Sequence, residues 1–330
     1  GPLQARVAQS DAPVEGDLIL LADERHALVF EGIATRPLPA FNQGFSAPVK
    51  LDYLYTPQQL GRLARVEQDA FNRWEALQRL ATGVLLSRFE DLRDAEAALS
   101  AALGDLLADP AADPAFVAEC LVLPDFDTLA EQVAAIDVDG LIAAREDLLD
   151  RLAEDHADAL EARYHALAEA AAGPLDGPSM AARSLRNACL AWLTRLDPHA
   201  RLAEAQFAAA HVMTDRLGAL RCLVRADAPG KDAALAAFSG RFANDALVTD
   251  KWLTLVASRP APEVVEEMDT LLASEWWLPT NPNRVRAILG AFARMNPIAF
   301  HRADGAGYRF LASQLPVIEA INPQVAARLL

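Results

Sequence analysis

From Thr56 onward, apolar residues return at three- and four-residue spacing, the pattern of helices that each bury one face. The first such stretch, "TPQQLGRLARVEQDAFNRW", has Thr56 where an N-cap belongs and Pro57 at the first helical position. Leu60, Leu63 and Val66 follow at helical spacing, and Trp74, Leu77, Leu80, Val84 and Leu85 make the next stripe between Phe71 and Arg88. Amphipathic segments of roughly ten to twenty residues then alternate with short breaks, the usual length range of globular helices. The breaks share a chemistry. Asp113-Pro114, Asp197-Pro198, Ala261-Pro262 and the pairs Asn281-Pro282, Asn296-Pro297 and Asn322-Pro323 each put a proline at an expected helix start. "AGPLDGPS" (Ala172–Ser179) is the most loop-like stretch.

The first fifty-five residues follow another rule. "DLILLAD" (Asp17–Asp23) and "HALVFEGI" (His26–Ile33) are short apolar runs, and "SAPVKLDYLY" (Ser46–Tyr55) alternates Val49, Leu51, Tyr53 and Tyr55 with Lys50 and Asp52. Period two predicts strands, with Pro37, Pro39 and Gly44 at the connections. So few apolar residues make half a β-sandwich at best. The pattern therefore predicts a mainly α chain: residues 1–55 as an incomplete, Ig-like β-sandwich segment, and 56–330 as a helical domain. Helix pairs without intervening strands suggest an irregular α-solenoid of the HEAT or armadillo kind, although no strict sequence period is visible. Its concave face is the place to look for function.

Composition narrows the partners. The 330 residues are 52% hydrophobic with a net charge of −16, so a sizeable core is available and a phosphate backbone would be repelled. Nucleic acid is therefore excluded as a partner. No apolar run has the length of a membrane helix, and the N-terminus lacks the layout of a signal peptide, so the expected location is cytoplasmic and off the membrane. Gly1-Pro2 reads either as a cloning scar or as a start inside a longer protein. Cys120, Cys189 and Cys222 sit in separate apolar stretches and read as buried small hydrophobes in a reducing compartment.

Catalytic patterns are missing. None of His26, His156, His165, His199, His211 and His301 forms His-Glu-x-x-His, and no Cys-x-x-Cys, nucleophile elbow or phosphate-binding glycine loop occurs. No catalytic residue, metal ligand or cofactor is therefore assigned to this chain. "DGAGYRF" (Asp304–Phe310) reads as a turn feeding a helix. The acid- and arginine-rich run Ala144–His165, with Asp147 spaced to meet Arg151, reads as a solvated helix face. In "SEWWLP" (Ser274–Pro279), at least one tryptophan is expected to pack between helices.

Several stretches together resemble one family. "FSAPVKLDYLY" (Phe45–Tyr55), "DAFNRWEALQRLA" (Asp69–Ala81), "RSLRNACLAWL" (Arg183–Leu193), "TDKWLTLVAS" (Thr249–Ser258), "NPNRVRAILGAFARMNPIAFH" (Asn281–His301), "DGAGYRFL" (Asp304–Leu311) and "NPQVAARL" (Asn322–Leu329) look like the bacterial type of aminopeptidase N, a zinc metallopeptidase of the gluzincin class. The resemblance implies the end of the family's small β-sandwich joined to most of its helical C-terminal domain, with the zinc and Gly-x-Met-Glu-Asn motifs upstream and the C-terminus clipped. It implies a non-catalytic part that caps a zinc active site carried by a catalytic domain, normally in the same polypeptide, and walls the cavity that admits short peptide substrates. It also implies that Gln324 and Arg328 face the substrate cavity. The residues agree with this: with Asn322 as N-cap and Pro323 at the first position, Gln324 and Arg328 share a helix face, and an arginine there can meet a peptide carboxylate. The competing expectation is a free-standing helical scaffold that binds peptides or proteins on its concave face.

Overall fold

The computed structural model describes residues 6–15 and 18–330. Gly1, Pro2 and Asp17 lie outside these residues. From Pro57 on, the described chain is helix after helix, which confirms the mainly α reading. The expected first cap is present: the Thr56 hydroxyl accepts from the Gln59 N–H at 3.2 Å, and the Gln59 side chain accepts from the Thr56 N–H at 3.0 Å. This reciprocal pair satisfies two amides that the helix itself leaves unbonded.

Helices pack mainly on their sequence neighbours. The long helix Gly177–Leu196 reaches further, touching Pro114–Cys120, Val138–Asp155, Ala157–Ala166 and Met213–Arg225. Leu185, Cys189 and Leu190 are buried on it, and the Trp192 indole donates to the Leu121 carbonyl at 3.2 Å. One apolar cluster runs from Leu60 to Leu255, and a second from Leu253 to Leu329. Trp252 borders both and stacks edge-on against Trp276 at 5.8 Å, so the expected tryptophan packing is present. All three cysteines are buried; burial pushes the thiols of Cys120 and Cys189 up to about 12 and that of Cys222 up to about 11.

The β portion is smaller than the alternation suggests. Arg6–Ser10 pairs antiparallel with Leu28–Glu31, and Val14–Glu15 with Leu18–Ile19. The third expected strand is a correction: Ser46–Tyr55 forms no ladder. Val49 and Leu51 are exposed, and Pro48 has no N–H to give. Side chains anchor the segment instead. Tyr53 packs its ring on Phe41 and Tyr55 at 5.4 and 4.5 Å, Arg79 donates to the Tyr53 carbonyl at 2.6 Å, and the Tyr55 hydroxyl donates to the Pro39 carbonyl at 2.9 Å. Period two here reflects an extended strap laid on the first helices.

A buried polar chain links four helices. Arg186 donates to the Tyr164 hydroxyl at 2.9 Å, which donates to Gln206 Oε1 at 3.0 Å. Gln206 Nε2 donates to Asn187 Oδ1 at 2.7 Å, and Asn187 Nδ2 donates to Asp215 Oδ1 at 3.3 Å. Burial pushes the Asp215 carboxyl above its ordinary value of 3.8, outweighing the Asn187 hydrogen bond. A raised native pKa contributes stability that is complete below the unfolded value and lost as pH rises through the native one. Asp215→Asn keeps the shape without the charge, so it should raise Tm at pH 7. The gain should shrink as pH falls through the ordinary carboxylate range. A Tm difference that ignores pH would contradict this account of Asp215.

Candidate functional site

A cavity of about 870 Å³ lies where the two apolar clusters meet. Its walls are the helices Met213–Arg225 and Ala246–Ala257, the continuous helical run from Pro282 to Met295, and the chain end around Val325–Leu329. That volume suits a ligand of several residues' length.

Asn281 starts one wall. Its side-chain oxygen accepts from the Asn283 N–H at 2.9 Å, and Pro282 follows at the first helical position. Arg284 is then buried and donates from Nε to Asp250 Oδ1 at 2.7 Å and from Nη1 to the Trp276 carbonyl at 2.8 Å. This pair clamps the run to the Ala246–Ala257 helix. From Arg286 to Gly290 the run widens into a single π turn, a feature that often marks a functional position. Arg286, Ala287 and Gly290 of that turn all line the cavity. In a regular helix, Arg286 and Arg294 would lie about 80° apart. One extra residue in a turn removes about 100° of rotation, bringing them to within about 20°.

The lining is strongly basic. Arg221, Lys251, Arg286, Arg294 and Arg328 are exposed along it, and Asp250 is its one carboxylate. Asp250 is already paired with Arg284. None of the five cations has a carboxylate within 4.0 Å among the described residues. Their hydrogen bonds go to neutral acceptors: Arg286 Nη1 to Asn283 Oδ1 at 3.1 Å, and Arg294 Nη2 to the Arg328 carbonyl at 2.7 Å. The rest of the lining includes Leu217, Leu247, Leu255, Met295 and Leu329.

The two residues named from sequence separate here. Arg328 lines the cavity just past the short helix Pro323–Ala327, whose cap is Asn322, with its oxygen accepting from the Val325 N–H at 3.2 Å. Gln324 is exposed and lies outside the lining. The sequence does not single out the other four cations, because Arg221 and Lys251 come from distant helices. For Arg286 and Arg294 the only available signal was two arginines eight residues apart. Among the described residues, no three of His, Cys, Asp and Glu gather where one metal ion could be held, so these residues do not fit a zinc site.

Comparison with known proteins accounts for nearly the whole chain. Residues 57–330 match the family described as "Domain of unknown function (DUF3458_C) ARM repeats", and the chain belongs to that family. It is 39% identical over 309 residues to aminopeptidase N of Escherichia coli K12, covering 92% of this chain and 35% of that protein. It is 37% identical over 318 residues to aminopeptidase N of Caulobacter vibrioides, covering 95% and 37%. The matched segment is the C-terminal part of those relatives, so the chain spans little more than a third of their length. Among solved structures, Legionella pneumophila aminopeptidase A in complex with aspartic acid superposes with a TM-score of 0.82 at 26% identity, over 94% of this chain and 38% of that one.

Proposed function

We propose that this chain is the non-catalytic, cavity-forming part of a zinc aminopeptidase of the aminopeptidase N type. The observation that carries the reading is the continuous similarity, over more than nine-tenths of the chain, to the C-terminal part of two bacterial aminopeptidases N. In this reading the zinc ion and the bond-breaking groups belong to a catalytic domain, normally in the same cytoplasmic polypeptide. The helical array covers that active site and walls the space through which short peptides reach it. The 870 Å³ cavity is the part of the wall offered to substrate, with Arg328 on its lining and Gln324 beside it on the exposed face of the Pro323–Ala327 helix.

The test is reconstitution. The pure chain, supplied with zinc, should release no chromophore from an aminoacyl anilide. Added to a separately prepared catalytic portion of aminopeptidase N, it should bind and raise hydrolysis of tri- and tetrapeptides. Turnover by the chain alone, or failure to associate with the catalytic portion, would overturn the proposal.

A further inference from the structure

We infer that the cavity recognises the carboxylate end of a peptide, gripping it with Arg286 and Arg294 inside a field set by Arg221, Lys251 and Arg328. The inference deepens the reading above by naming the chemistry the cavity selects. It rests on charge placement. The chain carries 30 lysines and arginines against 46 acids, yet five cations converge on one cavity whose single carboxylate is already taken by Arg284. Where arginines gather elsewhere, some are matched with acids, such as Arg195 with Glu146 and Asp150, Arg259 with Glu263 and Glu267, and Arg302 with Glu266 and Asp304, whereas these five cations share one cavity and no free acid. Five unmatched cations repel one another, and an arriving anion relieves that repulsion.

Geometry favours a carboxylate held by guanidinium groups. Arginine presents a planar fork that matches a carboxylate with two parallel hydrogen bonds, and four of the five cations are arginines. The π turn brings Arg286 and Arg294 towards one face of the same wall. Apolar lining beside the charges points to a ligand with both a charge and hydrocarbon side chains. Leu247 and Met295, both strongly exposed on the lining, would cover the residues that precede a C-terminal carboxylate. A nucleic acid is disfavoured, because the net charge of −16 repels a polyanion. A free phosphate would leave the apolar lining unused.

The deciding measurement is calorimetric titration of the full chain with tetra-alanine as free acid and as C-terminal amide, at low ionic strength. Losing charge-assisted hydrogen bonds should weaken binding roughly tenfold or more, so the acid should bind at least that much tighter than the amide. The preference should fade with added salt. The double variant Arg286→Gln/Arg294→Gln changes exposed side chains only, so it should keep its Tm and lose the preference. Equal binding of acid and amide, or no binding of either at millimolar concentration, overturns the inference. So does inorganic phosphate competing as well as the peptide acid, which would mark a general anion site. An amidated peptide with an internal aspartate that binds as tightly as the free acid overturns recognition of the terminus, and an acidic side chain is then the ligand. Failure here is distinct from failure of the function. Reconstituted hydrolysis without an acid preference removes this inference alone, and an acid preference in a chain that never reconstitutes removes the other.

Discussion

Asn296→Ala is expected to lower stability by about 3 kcal/mol, well beyond the usual loss of a helix cap. Asn296 is fully buried, and its side chain does two jobs. Its oxygen accepts from the Ala299 N–H at 3.2 Å, capping the helix Pro297–Phe300. Its amide donates to the carbonyls of Ala257 at 3.2 Å and Arg259 at 2.7 Å, where the Ala246–Ala257 helix ends. Removing it leaves buried acceptors unpaired, and each carries a desolvation cost of about 1–3 kcal/mol. Asn322→Ala is the internal comparison. Asn322 caps Pro323–Ala327 with a single side-chain bond, so its loss should cost about 1 kcal/mol. Asn296→Asp separates the two jobs, keeping the cap acceptor while losing both donors, and should fall close to the alanine variant. Urea unfolding of the three variants measures this, and equal losses for Asn296→Ala and Asn322→Ala would refute the second job.

These asparagines show what was legible in the sequence. Each Asn-Pro pair marks a helix start because cap oxygen and ring geometry act within three residues, and all three caps are present. Asp113-Pro114 obeys the same local rule, and the expected turn before a helix is present at Gly305, at φ 72°, ahead of Ala306–Ile321. Asp197-Pro198 does not. Asp197 closes Gly177–Leu196, and its carboxylate turns to the N–H groups of His199 and Arg201, delaying the next helix to Arg201. Proline fixes its own φ but does not dictate which side of the turn the helix takes. Ala261-Pro262 likewise precedes its helix, which begins at Val264.

Side-chain pairing was less legible, because it depends on what packs alongside. Arg151 has Asp147 one turn away on its own helix, yet it makes its ion pair with Glu96 of the Leu92–Ala108 helix, Nε to Oε1 at 2.6 Å. The basic cavity is the same problem enlarged. Its cations come from separate helices over a hundred-residue span, and no window of sequence holds them together. The period of the apolar residues specifies which face of each helix is buried, and the opposite faces meet only once the helices have packed. Arg328 was singled out by the family resemblance, and the helix cap with its four-residue spacing says only that it shares a local face with Gln324.

Gly307→Ala is the second large effect, also about 3 kcal/mol, and its sign opposes helix propensity. Gly307 is the second residue of the helix Ala306–Ile321, where alanine would ordinarily stabilise by up to about 1 kcal/mol. Here a Cβ would lie 2.6 Å from the Phe300 Cα and 2.8 Å from the Ala299 carbonyl oxygen, inside van der Waals contact with main-chain atoms. Those atoms belong to the helix capped by Asn296, so yielding would strain the same junction. Gly290→Ala is the control. Its Cβ would meet only the Arg286 Cβ at 3.8 Å and Leu329 Cδ2 at 3.9 Å, ordinary contacts on the cavity wall. That variant should be as stable as the parent or slightly more so. Thermal unfolding distinguishes them: Tm should fall by several degrees for Gly307→Ala and hold or rise for Gly290→Ala. If both alanines melt with the parent, the close crossing at Gly307 does not constrain the fold. If both melt early, the wall of the cavity is packed more tightly than 3.8 Å contacts imply.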